Sequence, residues 1–392
     1  MTARLRFLLA AALALLLSGT GAVRAADPYQ IDVILSETGP LAFLGSEQAV
    51  ALRALEDVVN REGGIRGQPV HFTIADDQSQ PTVAVQLATA IVQKHVPVLL
   101  GSTYVASCLA IAPLVRAAGP VEYCFAPAIH PPAGSYVFST IASTRDIARA
   151  LLAYASAKRW HRIATISTTD ATGEDVEGQF MDVVNAHEYP AVTVIGREKF
   201  GVPDVSIAAQ VAHLKALAPD AILDATVGTP TGTVLRSLKD AGIDVPVLTN
   251  PGNLIRAQML QYASFLPSQI YFAAPRFIAR DVSRSGPVRE QQLAFYRVMN
   301  AQGIDPDMGH NMAWDATRVV IDALRHVGTN ADAKAIRDYI EGLHAFAGTD
   351  GIFDYRDGGQ RGVTLSSLVV ARWVPARKTW ATVSEPGGKP LH

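Results

Sequence analysis

The densest run of groups able to do chemistry is GSTYVAS, Gly101 to Ser107, which holds a glycine, four hydroxyl-bearing residues and no charge. It lies between the apolar run VPVLL and the helix-like CLAIAPLVRAAG, so it reads as a strand-to-helix turn. Such a turn can present a nucleophile, cradle an anion, or simply redirect the chain. A nucleophile needs a base, and neither Ser102 nor Ser107 sits in a G-x-S-x-G elbow or beside a partner motif. Triads do assemble from distant parts of a chain, so an exported α/β hydrolase or amidase stands as the rival class. Anion capture asks for less. The first-turn amides of a helix lack intrahelical partners and sit at the positive end of its dipole, so they hold a carboxylate without lysine or arginine. For Ser107 there is also a purely structural reading, as N-cap of CLAIAPLV.

Other chemistry is poorly supplied. The ten histidines are scattered without an H-E-x-x-H pattern or a close pair, and two cysteines cannot build a Cys-rich zinc site. No G-x-x-x-x-G-K-[ST] loop or strand-linked G-x-G-x-x-G occurs, so no metal or cofactor is expected. Cys108 and Cys124 form either a disulfide or two buried thiols, and sixteen residues of separation leave both open. A formal net charge of −2 with interspersed signs lacks the basic stripe of a nucleic-acid binder.

The amino terminus is unlike the rest. Arg4 and Arg6, the short apolar core Phe7 to Leu17, and small residues ending at Ala25 and Ala26 have the layout of a secretory signal peptide over residues 1–26. No cysteine follows the expected cut, which argues against a lipid anchor, and no later apolar run reaches membrane-spanning length. A soluble, exported chain of roughly 365 residues is expected, enough for two lobes.

The elements that must position the turn alternate. Ile31 to Leu35 reads as a strand, followed by the loop SETGPLAFLGS and a helix opened by Ser46, with Ala49, Leu52, Leu55 and Val59 on one face. PVHFTIADD, VPVLL and VEYCFAP continue the strands, PTVAVQLATAIVQKH and CLAIAPLVRAAG the helices. After VFSTIAS the alternation restarts with TRDIARALLAYASAKR and HRIATIST and runs to VPVLTN, as a second copy of the architecture. NMAWDATRVVIDALRHVG and DAKAIRDYIEGLH are later helices, and SSLVVARWV with TWATV a final strand pair. This pattern predicts an α/β fold of two doubly wound parallel-sheet lobes. Ligands in such sheets bind beyond the strands' carboxyl ends, which directs attention to SETGPLAFLGS, ADDQSQ, GSTYVAS, APAIHPP, STTDATGED, TVGTPTG and TNPGN.

Several segments, in order, resemble the periplasmic Leu/Ile/Val-binding protein family, the solute receptors of branched-chain amino-acid-type ABC importers. They are LSETGPLAFLGSEQAVALRALEDVVNREGGIRGQPVHFTIADDQSQP, LLGSTYVASCLAIAPLV, LRSLKDAGIDVPVL, AWDATRVVIDAL and FAGTDGIFDY. The resemblance implies a type I fold with a three-segment hinge near residues 142, 275 and 355. One lobe would comprise 27–142 plus 276–355, the other 143–275 plus 356–392. It further implies a periplasmic, monomeric receptor that closes on a small carboxylate and delivers it to an inner-membrane permease. A sensory ligand-binding subunit of the same fold is an alternative within the family.

Carried over by position, the family's ligand contacts fall on Tyr104, Val105 and Ser107 after the third strand, and on Ala126 and Ala128 after the fourth. Val105 and Ala128 stand where hydroxyl residues are usual, so Thr103, Ser107 and main-chain amides are expected to compensate. Phe43 or Leu44 supplies a wall. In the second lobe the positions are Thr172, where an aromatic residue is usual, then Thr226 and Val227, and Asn250 in TNPGN, where amino-acid-binding relatives often carry an acid. An α-ammonium buried there without a counter-charge costs several kcal/mol, unless Asp170, Glu174 or Asp224 substitutes. The expected ligand is therefore a carboxylate lacking an α-ammonium, aromatic or amide-like, with a branched-chain amino acid as the alternative.

Overall fold

The computed structural model describes residues 27–279 and 285–391; the expected secretory segment 1–26 lies outside them. The first sheet contains β1 (Tyr29–Leu35), β2 (Val70–Asp76), β3 (Val98–Leu100), β4 (Val121–Cys124) and β5 (Val137–Ser139), all parallel in the order β2-β1-β3-β4-β5. Helices α1 (Ala42–Arg61), α2 (Pro81–Val92) and α3 (Val105–Val115) make the crossovers. Because both sheet faces are covered, the strand residues are apolar on both sides. Ile34, Leu99 and Cys124 pack under α2 and α3, and Val33, Leu100 and Tyr123 pack with α1 in the main core.

The second half repeats this plan. It uses α4 (Thr144–Ala157), β6 (Arg162–Thr168), α5 (Ala171–Asn185), β7 (Thr193–Phe200), α6 (Ala208–Leu217), β8 (Ala221–Ala225), α7 (Thr229–Asp240), β9 (Val247–Thr249), α8 (Arg256–Gln261) and β10 (Ile270–Pro275). The chain then returns to the first half through α9 (Pro287–Ala301), α10 (Met308–Val327) and α11 (Ala333–Gly342), with α10 packed along α1. A small ribbon, β11 (Phe346–Ala347) with β12 (Ile352–Phe353), precedes β13 (Leu368–Val374) and β14 (Thr379–Thr382). The second sheet runs β14-β13-β10-β9-β8-β6-β7, parallel from β7 to β10 and antiparallel at β13 and β14.

Three segments join the halves. The first lies between Ser139 and Thr144 and the second follows Pro275. The third falls later than residue 355. The Tyr355 and Tyr123 hydroxyls are 2.5 Å apart, and Ser139 N–H donates to the Gln360 carbonyl at 3.0 Å, so the chain stays with the first sheet until about Arg361. These are long-range contacts of a glycine-rich stretch whose sequence carries no strand or helix period.

Other local expectations need correction. The first helix begins at Ala42, four residues before Ser46, and its N-cap Leu41 makes no side-chain cap. Burial of Leu41 and Leu44 sets that start instead. Helix α3 begins at Val105, so Tyr104 is its N-cap and Ser107, inside the first turn, is not. Helices α8 and α9 lie in a stretch for which the sequence predicted none. Of the two alternatives for the cysteines, the structure has the disulfide: Cys108 on α3 is bonded to Cys124 at the end of β4, with Cα atoms 6.0 Å apart.

Candidate functional site

The turn GSTYVAS leaves β3 at Gly101, where φ is +97° and a Cβ would stand 1.9 Å from the Ile34 carbonyl oxygen; only glycine fits. Behind it, buried Asp77 accepts from Ser36 Oγ at 2.7 Å and from Ser102 Oγ at 2.6 Å. The loop after β2 thus braces its neighbours and does not reach the cavity. Ser102 Oγ in turn accepts from Tyr104 N–H at 3.1 Å, which aims the helix start at the opposite half.

Facing loops from both halves enclose a cavity of about 40 Å3. The first half contributes Leu41, Leu44, Thr103, Tyr104, Val105, Ala126, Pro127, Ala128 and Met312. The second contributes Thr144, Ile147, Thr172, Val176, Val227, Asn250 and Gly252. Nine of the residues expected from the sequence are therefore brought together: Leu44, Thr103, Tyr104, Val105, Ala126, Ala128, Thr172, Val227 and Asn250.

Three expected residues are elsewhere. Phe43 is half-buried against the main core beside the cavity-lining Leu44, as adjacent helical positions point in different directions. Ser107, in the first turn of α3, is fully buried off the cavity wall, with no hydrogen-bond partner for its Oγ among the described residues. Thr226 is also buried; its hydroxyl donates to Asp224 Oδ1 at 2.6 Å and its carbonyl accepts from Asn250 and Asn253, so it shapes the loop from behind. Of the walls that sequence reasoning missed, Leu41 lay inside the quoted loop SETGPLAFLGS and Thr144 at the start of the expected helix TRDIARALLAYASAKR. Met312 comes from α10, far along the chain, and no local signal announces it.

The hydroxyl protons of Thr103, Tyr104 and Thr144 are already committed. Thr103 Oγ1 donates to Gln48 Oε1 at 2.6 Å and accepts from Ser36 N–H at 3.1 Å. Tyr104 OH donates to Asp170 Oδ2 at 2.9 Å, and Thr144 Oγ1 donates to Asp175 Oδ2 at 2.6 Å. Asn250 folds onto its own loop, donating to the Thr226 carbonyl at 2.8 Å and accepting from Gly252 N–H at 3.0 Å. Neither Thr103 nor Ser107 therefore supplies the hydroxyl donor expected in compensation for Val105 and Ala128. Donors that stay available are the first-turn amides of α3, which no side chain caps, and the Thr172 hydroxyl at the start of α5.

No charged side chain lines this cavity. Each acid proposed from the sequence to hold an ammonium has another role. Asp224 is wholly buried behind Thr226, where burial pushes its carboxyl up to about 7 against the hydrogen bonds from Thr226 and Thr249. Asp170 caps α5 through Gly173 N–H at 3.2 Å and accepts from Thr168 at 2.5 Å as well as from Tyr104. Glu174 is exposed and paired with Lys199 at 3.0 Å. Burial, reinforced by Asp170, holds the Tyr104 phenol well above its ordinary value, so it is the neutral donor in that pair.

Among the described residues Glu47, Asp307 and His310 are the one group of metal-ligand types with atoms within 4.8 Å of one another. They do not line the cavity. Asp307 and His310 form the reciprocal cap of α10, and burial together with Asp307 pushes the Glu47 carboxyl well up.

The halves touch directly around the cavity. Besides Tyr104 with Asp170, His130 Nε2 lies 2.5 Å from Asp175 Oδ1, and Thr229 N–H donates to the Pro40 carbonyl at 3.3 Å. The last contact depends on Gly228, at φ +78°, where a Cβ would be 2.3 Å from the Pro40 oxygen.

This geometry has counterparts. Among solved structures, an extracellular ligand-binding receptor from Rhodopseudomonas palustris HaA2 superposes with a TM-score of 0.80 at 22% identity, covering 91% of this chain and 99% of that one. A solute-binding protein of an R. palustris ABC transporter, solved in complex with benzoate, superposes with a TM-score of 0.77 at 19% identity, covering 91% and 95%. Among curated proteins, the Leu/Ile/Val-binding protein homolog 3 of Brucella melitensis is 23% identical over 226 residues, which span 57% of this chain and 61% of that relative's length. The family model described as periplasmic binding protein matches residues 28–378. With two α/β halves, three connections and a cavity between facing strand ends, the chain belongs to the periplasmic binding protein family, of the type I fold.

Proposed function

We propose that this protein is an extracytoplasmic solute receptor of an ABC importer that captures a small, apolar monocarboxylate lacking an α-ammonium group, an aromatic acid above all, and delivers it to an inner-membrane permease. The observation that carries the reading is the cavity's chemistry. Apart from the Thr172 hydroxyl its side walls are apolar or already satisfied, it has no carboxylate to hold an ammonium, and the uncapped start of α3 offers main-chain donors to an anion. The benzoate complex of the R. palustris solute-binding protein supports the same class.

The roughly 40 Å3 enclosed between the halves has room for a few waters. Entry of a benzoate-sized ligand therefore requires the halves to part about the three connections, and ligand contacts from both halves then favour reclosure. Reversible capture, not turnover, suits a site in which Ser102 is spent on Asp77 and no histidine lines the wall. Among the described residues no helix is long and apolar enough to cross a membrane. Export would rest on residues 1–26.

A branched-chain amino acid is the second reading, favoured by the printed name of the Brucella relative. Calorimetric titration of the chain from residue 27 onward with benzoate, benzamide, leucine and succinate separates the two. Saturable benzoate binding without leucine binding is expected; tight leucine binding with no response to benzoate overturns the proposal.

A further inference from the structure

Arg361 is 6% exposed, and its guanidinium is spent on the backbone of a cavity wall. Nη2 donates to the carbonyl of Pro127 at 2.7 Å and to that of Ile129, while Nη1 donates to Ser139 Oγ at 2.8 Å. Ser139 Oγ passes the interaction on, donating to the Ala126 carbonyl at 2.8 Å. Three successive points of the wall are thereby tied to one buried cation. Among the described residues no carboxylate oxygen bonds that cation; Asp175, the acid whose field it feels most, is occupied by Thr144 and His130.

The direction of the peptides gives this arrangement a consequence. In a trans peptide the C=O and N–H point opposite ways. With the Pro127 carbonyl drawn to Arg361, the N–H of the same peptide, belonging to Ala128, points away from the guanidinium. Ala128 lines the cavity, and among the described residues no group accepts from its N–H. A cation bonded to the carbonyl end of a peptide polarises the amide end and makes it a stronger donor.

We infer that Arg361 is a positioning residue for anion capture: through the Pro127–Ala128 peptide it turns the Ala128 amide into an electropositive donor for the ligand's carboxylate. This deepens the receptor reading and rests on it. It also explains how a cavity with no charged wall prefers an anion: the charge stands one peptide behind the wall, already desolvated and held rigid. Burial lowers the guanidinium only to about 10, so it stays charged at neutral pH.

The test compares acid with amide. The chain from residue 27, its Arg361→Gln variant and its Arg361→Lys variant are titrated with benzoate and benzamide, and with leucine and leucinamide, at matched ionic strength. Arg361→Gln is expected to weaken whichever acid binds by about tenfold or more, the scale of a lost charge-assisted interaction in a desolvated site. The matching amide should change by less than about threefold, and Arg361→Lys should recover part of the acid affinity. Equal losses for acid and amide would reduce Arg361 to a structural brace, and unchanged acid affinity overturns the inference outright. Should the wild type bind leucine and not benzoate, the aromatic-acid reading fails while the acid-to-amide ratio still decides the role of Arg361. Binding of neither acid overturns both. Circular dichroism of each variant confirms folding, and if Arg361→Gln does not fold, Ser139→Ala, which removes one of the three ties, should lower the acid-to-amide ratio in the same direction.

Discussion

Replacing Tyr104 by Phe removes one oxygen and keeps the ring that walls the cavity. In the closed arrangement the hydroxyl donates to Asp170 Oδ2 at 2.9 Å across the two halves; with the halves apart, both groups meet water. A hydrogen bond to an ionised acceptor contributes about 1.5–3 kcal/mol. The lower end applies here, because Tyr104 is only half-buried and Asp170 keeps Thr168 and Gly173 N–H as partners. The closed state should therefore lose about 1.5 kcal/mol relative to the open one, which weakens a ligand that requires closure by about tenfold. Calorimetry supplies the affinity, stopped-flow fluorescence the rates, and the loss should fall on dissociation. A double-mutant cycle with Asp170→Asn should show the two effects to be strongly non-additive. Unchanged affinity in Tyr104→Phe, or additive losses in the cycle, would refute the argument that this pair secures closure.

Gly228→Ala should impair binding more than it impairs folding. An added Cβ would stand 2.3 Å from the Pro40 oxygen only when the halves are together, so affinity should fall at least tenfold, whereas the ~1–3 kcal/mol strain of the positive φ is shared by both states and falls on folding; an affinity equal to the wild type's would contradict this. Asp224 should make stability fall with rising pH. Its folded value of about 7 lies above the ordinary 3.8, so the buried neutral acid stabilises fully below about 4, and that contribution is lost as pH rises to about 7 at up to about 1.4 kcal/mol per unit. Urea unfolding of wild type and Asp224→Asn at pH 5 and pH 8 checks it, and identical pH slopes in the two proteins would show that Asp224 carries no such linkage.

Much of this was legible in the chain itself, for reasons of period and local geometry. Alternating apolar strands and amphipathic helices can bury both sheet faces in few ways, so the α/β class and the usefulness of the strand carboxyl ends followed directly. Gly101 stands where β3 turns against the Ile34 carbonyl, and a residue without a side chain at that turn is visible in one dimension. The absence of charge from GSTYVAS and TNPGN likewise carried through to a cavity without charged walls.

Tertiary structure decided what each polar group spends its proton on. Thr103 and Tyr104 look like ligand donors in sequence, yet Gln48 and Asp170, 55 and 66 residues away, take their hydrogens. Ser107 is on the buried side of the first turn of α3, and Met312 and Arg361 reach the site from the far end of the chain through the return connections. The disulfide, too, was a matter of distance: sixteen residues of separation are compatible with either state, and the packing of α3 on β4 brings the two Cα atoms to 6.0 Å. Sequence periodicity determines which faces are buried; hydrogen-bond partners and charges across a cleft depend on which distant segments meet, and that is set only when both halves and their three connections are folded.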